Sequence, residues 1–122
     1  MDRSTNAYQV EAVTTVSVEA LTSLYNSVGW TAYTKNIIKL QRAIQGSNFL
    51  VTVRENDASL LIGLARAISD DASIAFIQDI LVHPDHQNHG IGKKLVLSIL
   101  HRYAHVRQKV LLTDDRPKQI SL

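Results

Sequence analysis

The chain contains no cysteine, which excludes a disulfide framework, a thiolate zinc site and a cysteine nucleophile. Histidine, carboxylate and hydroxyl groups are left for any chemistry. It has no uninterrupted apolar run approaching the roughly 18 residues of a membrane span. Its first ten residues, MDRSTNAYQV, lack the basic start and apolar block of a secretory leader. A cytoplasmic protein that contacts no membrane is the expectation. Charge of one sign is scarce too: 13 Lys and Arg against 11 Asp and Glu leave a formal +2. That excess is too small to point to nucleic acid, so an anion site has to be local. What is present is 45% hydrophobic residues over 122 positions, enough for a single core and one domain spanning residues 1–122.

Periodicity places the elements. Residues 7–16 alternate apolar and polar positions and read as a half-buried strand. Ser17 offers a cap for a helix over Val18–Val28, with Gly29 as its stop, and Thr34 offers a cap for a second helix that stops at Gly46. From residue 49 the pattern changes: FLVTVREN and LLIGLARAI, separated by the turn NDAS, read as an antiparallel hairpin. IAFIQDILV follows as a central strand buried on both faces for most of its length. His83 and Pro84 stop it, and Ile91, Leu95, Ile99 and Tyr103 then mark an amphipathic helix. KVLLTDD returns as a strand, and Pro117 suggests the start of one more helix. The order is strand, two helices, three strands, helix, strand and a helix start. It predicts an α/β (α+β) fold, a mixed, splayed sheet with helices on its faces and a parallel crossover after Val82.

One stretch concentrates the chemistry: ILVHPDHQNHGIGKKL, residues 80–95. His83, His86 and His89 recur every third residue, which invites a metal reading, but they converge only on a helix, and Pro84 and the glycines oppose one there. No metal is expected, and His86 and His89 read as solvent-facing loop residues. His101 and His105 read as solvated side chains on the polar face of the next helix. The glycines at a strand-to-helix junction point elsewhere. The first N–H groups of a helix lack internal partners, its dipole adds positive charge, and glycine lets a phosphate oxygen approach the backbone. Two phosphate loops are excluded by the letters. A nucleoside-triphosphate loop requires glycine where Gln87 stands and Ser or Thr where Lys94 stands, and a dinucleotide fingerprint requires glycine where Leu95 stands.

The hexad Gln87, Asn88, His89, Gly90, Ile91, Gly92 resembles the acetyl-coenzyme A signature of the GNAT superfamily of N-acetyltransferases. The element order from Tyr8 to Asp115 is similar to that family's. The resemblance implies a GNAT-like acetyltransferase domain using acetyl-CoA and an amine acceptor. It implies that the main chain of Ile80, Leu81 and Val82 pairs with the pantetheine arm. The backbone from Asn88 to Lys93, nearest at Gly90 and Gly92, would hold the pyrophosphate, with Gln87 bracing the turn. Leu81 would donate its N–H to the thioester oxygen, and Asp79, the nearest carboxylate, would serve as base. Trp30 and Tyr33, between the first two helices, would wall the acceptor site, although packing between helices explains such aromatics equally well.

The family's usual acid, a tyrosine on the helix after the fifth strand, has no counterpart in residues 116–122, and the family's last two strands are not evident. Either the chain is a shortened form of a longer protein or a partner completes the sheet. An open edge at KVLLTDD would favour a homodimer. A non-catalytic module that binds coenzyme A is the rival reading.

Overall fold

The computed structural model describes residues 8–56, 60–112 and 117–119. Strand β1 (Tyr8–Val13) is followed by helices α1 (Val18–Ser27), α2 (Thr31–Thr34) and α3 (Ile37–Gln45). Strands β2 (Phe49–Glu55), β3 (Leu61–Ser69) and β4 (Ile74–Val82), helix α4 (Ile91–Arg102), β5 (Gln108–Leu112) and β6 (Pro117–Gln119) complete it. The six strands lie in the sheet in chain order. All neighbours are antiparallel except β4 and β5, which the α4 crossover joins in parallel. No helix among the described residues is long and apolar enough to cross a membrane.

Local chemistry accounts for the helix boundaries. The Ser17 side chain caps α1 by accepting from the Ala20 N–H at 3.2 Å. The second helix differs from expectation. Thr34 does not cap it: its hydroxyl donates to Asn26 Oδ1 and to the Thr31 carbonyl, closing the one-turn α2. Asn36, held at φ −129° and ψ 77°, breaks the run and caps α3 by accepting from the Lys39 N–H. The expected helix therefore starts later, at Ile37, and a one-turn helix, α2, occupies what was expected to be the loop before it.

Two apolar layers flank the sheet. Leu21, Leu24 and Tyr25 of α1 and Leu40 and Ile44 of α3 pack with Leu64 and Leu81 on one face, while Ile91, Leu95, Ile99 and Tyr103 cover the other. The strand sealed on both faces is β3, whose residues Leu61–Ala67 are all buried, and not β4 as the composition suggested. In β4 buried and half-buried residues alternate along the whole strand.

Helix α4 lies so close on β3 that a Cβ at Gly63 would stand 3.0 Å from Ile91 Cγ2 and 3.3 Å from Leu95 Cδ1. The tail also departs from expectation. In place of a helix start, Pro117–Gln119 pairs antiparallel with Val110–Leu112, covering part of the β5 edge. The Tyr103 hydroxyl is buried with no hydrogen-bond partner among the described residues.

Because Ile91, Leu95 and Val53 fill the space a Cβ at Gly63 would need, Gly63→Ala is expected to lower unfolding stability by about 1–3 kcal/mol in urea titrations. A variant as stable as the parent would show that α4 is free to lift. Tyr103→Phe is expected to lose nothing in the same measurement, since no hydrogen bond is given up and a buried, unpaired hydroxyl is removed.

Candidate active site

The site is organised by one extra residue in β4. Arg66 pairs with Asp79 and Ala67 with Ile77, so Gln78 has no partner in β3. This bulge reverses the alternation. Ile77 faces the α4 layer, whereas Asp79 and Leu81 beyond the bulge face α1 and α3. Pairing with β5 stops at the same place: its register runs from Ile74 with Gln108 to Ile77 with Leu111 and ends. From Gln78 to Val82 the outer edge of β4 has no described strand beside it.

Backbone direction along this edge follows from the ladder. The His83 N–H donates to the Ile62 carbonyl at 2.8 Å, and Leu81, opposite Leu64 in the same register, likewise spends its N–H on β3. Ile80 and Val82 point the other way, and the Val82 carbonyl accepts from Gln87 Nε2 at 3.2 Å. The Leu81 N–H, expected as the donor, is committed to β3, and the main-chain groups presented at the open edge belong to Ile80 and Val82.

After β4 the chain makes a single 3-10 turn, Pro84–His86, and reaches α4 through Asn88 at φ 68° and Gly90 at φ 77°. Gly90 is the helix cap, and no side chain among the described residues supplies a capping bond. The first bond of α4 runs from the Lys94 N–H to the Gly90 carbonyl, so the N–H groups of Ile91, Gly92 and Lys93 precede it without intrahelical partners. There is no acidic residue in that first turn. Such an end offers three unpaired N–H donors at the positive end of the helix dipole.

The three loop histidines make separate contacts. The His83 side chain accepts from the Asp85 N–H, and the His89 ring meets the His86 carbonyl. His86 is not solvent-facing as expected; it is half-buried edge-on to Tyr8, with ring centroids 5.9 Å apart and Nε2 3.7 Å from Glu55. Among the described residues no three His, Asp or Glu side chains are gathered as metal ligands. His105 is likewise engaged, 2.7 Å from Asp71, which Arg102 also holds; these bonds to Arg102 and His105 keep the Asp71 carboxyl below the usual carboxylate range.

Asp79 is neither solvent-facing nor isolated. Its carboxylate is 2% exposed and takes Arg66 Nε at 2.7 Å and the Tyr25 hydroxyl at 2.9 Å on Oδ2, leaving Oδ1 with the Tyr33 hydroxyl at 3.5 Å. Burial first, and the neighbouring Asp79 charge second, hold the Tyr25 phenol far above the usual tyrosine range, so it stays a neutral donor. Trp30 and Tyr33 do come together, stacked at 5.8 Å, with Tyr25 5.2 Å from Tyr33. Of the three, Tyr33 borders a cleft of about 310 Å³ that Asn36, Lys39, Leu40, Ala43 and Arg66 also line. Arg66 and Tyr25 were not singled out in the sequence. The signal for Arg66 was a lone charge inside an apolar strand beside a strand carrying a lone opposite charge.

The model of the acetyltransferase (GNAT) family matches residues 15–120, and the chain belongs to that family. It is 35% identical over 105 residues to the uncharacterized N-acetyltransferase ycf52 of Gracilaria tenuistipitata var. liui, covering 83% of this chain and 57% of that protein. To the histone acetyltransferase TAP1 of Glycine max it is 34% identical over 94 residues, covering 70% of this chain and 40% of the relative. The chain thus spans about half the length of these curated relatives. Among solved structures, the GNAT family protein SP0256 of Streptococcus pneumoniae TIGR4 superposes with a TM-score of 0.74 at 29% identity, over 88% of this chain and 76% of that one. An aminoglycoside N-acetyltransferase, AAC(6')-Iy in complex with CoA, shares the fold at a TM-score of 0.67 and 13% identity, over 88% and 77% of the two chains.

Removing one partner of a buried ion pair strands the other charge. Arg66→Met is therefore expected to lower unfolding stability by about 3–5 kcal/mol, and adding Asp79→Leu should recover most of it. If the double variant were as unstable as the single one in urea titrations, the Arg66–Asp79 contact would not be the cause.

Proposed function

We propose that residues 1–122 form one acetyltransferase domain that moves an acetyl group from acetyl-CoA to a primary amine, the amine attacking the thioester carbonyl directly. The observation that carries this reading is the coincidence of three features at one end of β4. The strand loses its outer neighbour after Ile77, the freed edge presents the groups of Ile80 and Val82, and the uncapped N-terminus of α4 stands just beyond.

Gly92 supports the fit to a pyrophosphate. In a helix it costs about 1 kcal/mol relative to alanine, yet a Cβ there would meet only Val82 Cγ2 at an ordinary 3.8 Å. The chain's own packing does not require glycine at this position, whereas close approach of phosphate oxygens to backbone N–H groups does. Asn88, His89, Gly90, Ile91, Gly92 and Lys93 would hold the diphosphate, Gln87 would fix the turn through the Val82 carbonyl, and the pantetheine amides would lie along Ile80 and Val82. When bound, acetyl-CoA supplies the activated acetyl group.

The remaining chemistry belongs to this chain. The Ile80 N–H, fixed on a strand, is placed to stabilise charge developing on the carbonyl oxygen. Asp79 Oδ1, its least occupied oxygen, takes a proton from the incoming ammonium through the Tyr33 hydroxyl or a water. As the nitrogen–carbon bond forms and the carbon–sulfur bond breaks, the nitrogen gives up a second proton. One of the two ends on sulfur and the other in solvent. Trp30 and Tyr33 wall the acceptor side.

Gly92→Ala is expected to melt no lower than the parent but to lose most of the thermal stabilisation by acetyl-CoA. The parent is expected to be stabilised by acetyl-CoA and to release free thiol with primary amines. Absence of stabilisation in the parent would overturn the proposal, and stabilisation without thiol release over an amine panel would turn it into a binding module.

A further inference from the structure

The cleft between α3 and the sheet has an uneven charge distribution. Between Ala20 and Arg54 the sequence contains no acidic residue, while Lys35, Lys39, Arg42 and Arg54 are basic. The segment that roofs the cleft, α2 and α3, falls wholly within this stretch. On its floor Arg66, 6% exposed, commits Nε to Asp79 and Nη1 to Ser47 Oγ and the Ala43 carbonyl at 3.4 and 3.5 Å. Its Nη2 has no hydrogen-bond partner among the described residues. A guanidinium has five N–H donors, and a buried one with donors to spare is a carboxylate receptor. Lys39 lines the same cleft from α3.

The other sign lies next to Arg66 and behind Tyr33, which lines the cleft and whose hydroxyl leads to the buried Asp79 Oδ1. A guest with an anionic end toward Lys39 and Arg66 Nη2 and a cationic end at the Tyr33 hydroxyl matches both groups. A polycation meets Lys39 on the roof and Arg66 on the floor. The walls between, Leu40 and Ala43, suit a short apolar body. Adjacent strands are about 5 Å apart, so an amine beside Asp79 lies within a strand spacing or two of the Ile80 edge.

We propose, on the basis of the acetyltransferase reading above, that the acceptor is a small carboxylate-bearing amine of the amino acid class, its carboxylate held by Lys39 and Arg66 and its amino group turned to Tyr33 and Asp79. The carboxylate selects the acceptor, and the transfer step is unchanged.

The test compares acids with their amides, which differ in that one charge. Lysine and lysine amide, methionine and methionine amide, and spermidine are supplied to the full chain with acetyl-CoA, and thiol release gives kcat/KM for each. The acid is expected to exceed its amide by about tenfold, the value of one charge-assisted hydrogen bond, with spermidine poorest. Lys39→Ala, at an exposed position that leaves the core intact, is expected to compress the acid-to-amide ratio toward one. Amides or spermidine turning over as well as the acids would overturn the proposal while leaving acetyl transfer standing. If no amine is turned over, thermal shift with the same compounds and CoA decides. Acids stabilising more than amides would support the carboxylate site and sink only the transfer step; equal shifts would sink the carboxylate site.

Discussion

Everything distinctive in this chain depends on the unpaired Gln78. A strand's side chains alternate with a period of two, so one additional residue moves every later side chain to the other face. Without it, Asp79 and Leu81 would project toward α4, where Leu95 and Ile99 leave no partner for a carboxylate. With it, Asp79 meets Arg66 and the two tyrosines under α1, while Ile80 and Val82 back onto the α4 layer. The same residue coincides with the end of β5 pairing. A single insertion thus sets both the charged floor under α1 and α3 and the open main-chain edge of β4.

The two sides differ in how they are built. The β4–α4 junction is almost entirely backbone: helix N–H groups, a strand edge and two positions at positive φ. Side-chain identity matters there chiefly by being absent, as at Gly92. The face under α1 and α3 is made of side chains held by burial, and its ion pair is retained at a desolvation cost that a wholly apolar layer would avoid. Keeping such a pair inside a small core is consistent with a functional role for the charge.

This contrast explains what the sequence disclosed. The strand–loop–helix junction was legible because glycine placement, helix periodicity and the hexad pattern are local in the chain. The parallel crossover was legible because the 25 positions between Val82 and Gln108 are far too many for a hairpin. The later start of α3 escaped the sequence because Thr34 and Asn36 are both good caps, and the choice turned on Asn26, whose side chain takes the Thr34 hydroxyl. That the Leu81 N–H faces β3 while the Ile80 N–H faces the open edge depends on ladder register, which composition does not reveal. The Arg66–Asp79 pair joins residues on adjacent strands with a bulge between them. The tail read as a helix start because Pro117 suits a first helical turn as well as a sheet edge.

The order of strands in the sheet repeats their order in the chain, and that has a kinetic side. Tertiary contacts between sequence neighbours form quickly, since short loops cost little entropy to close. The four strands β1 to β4 form an antiparallel meander, interrupted only by the helices after β1, and they can assemble while the chain beyond Val82 is still unordered. Only the four-residue pairing of β4 with β5 must wait for α4 to dock. The ladder of β4 with β5 is shorter than that of β4 with β3, so β4 parts more readily from β5 than from β3, at the groove where the two strands diverge. A ligand that lies in that groove would act as the missing stretch of sheet and hold the last-formed part of the protein shut.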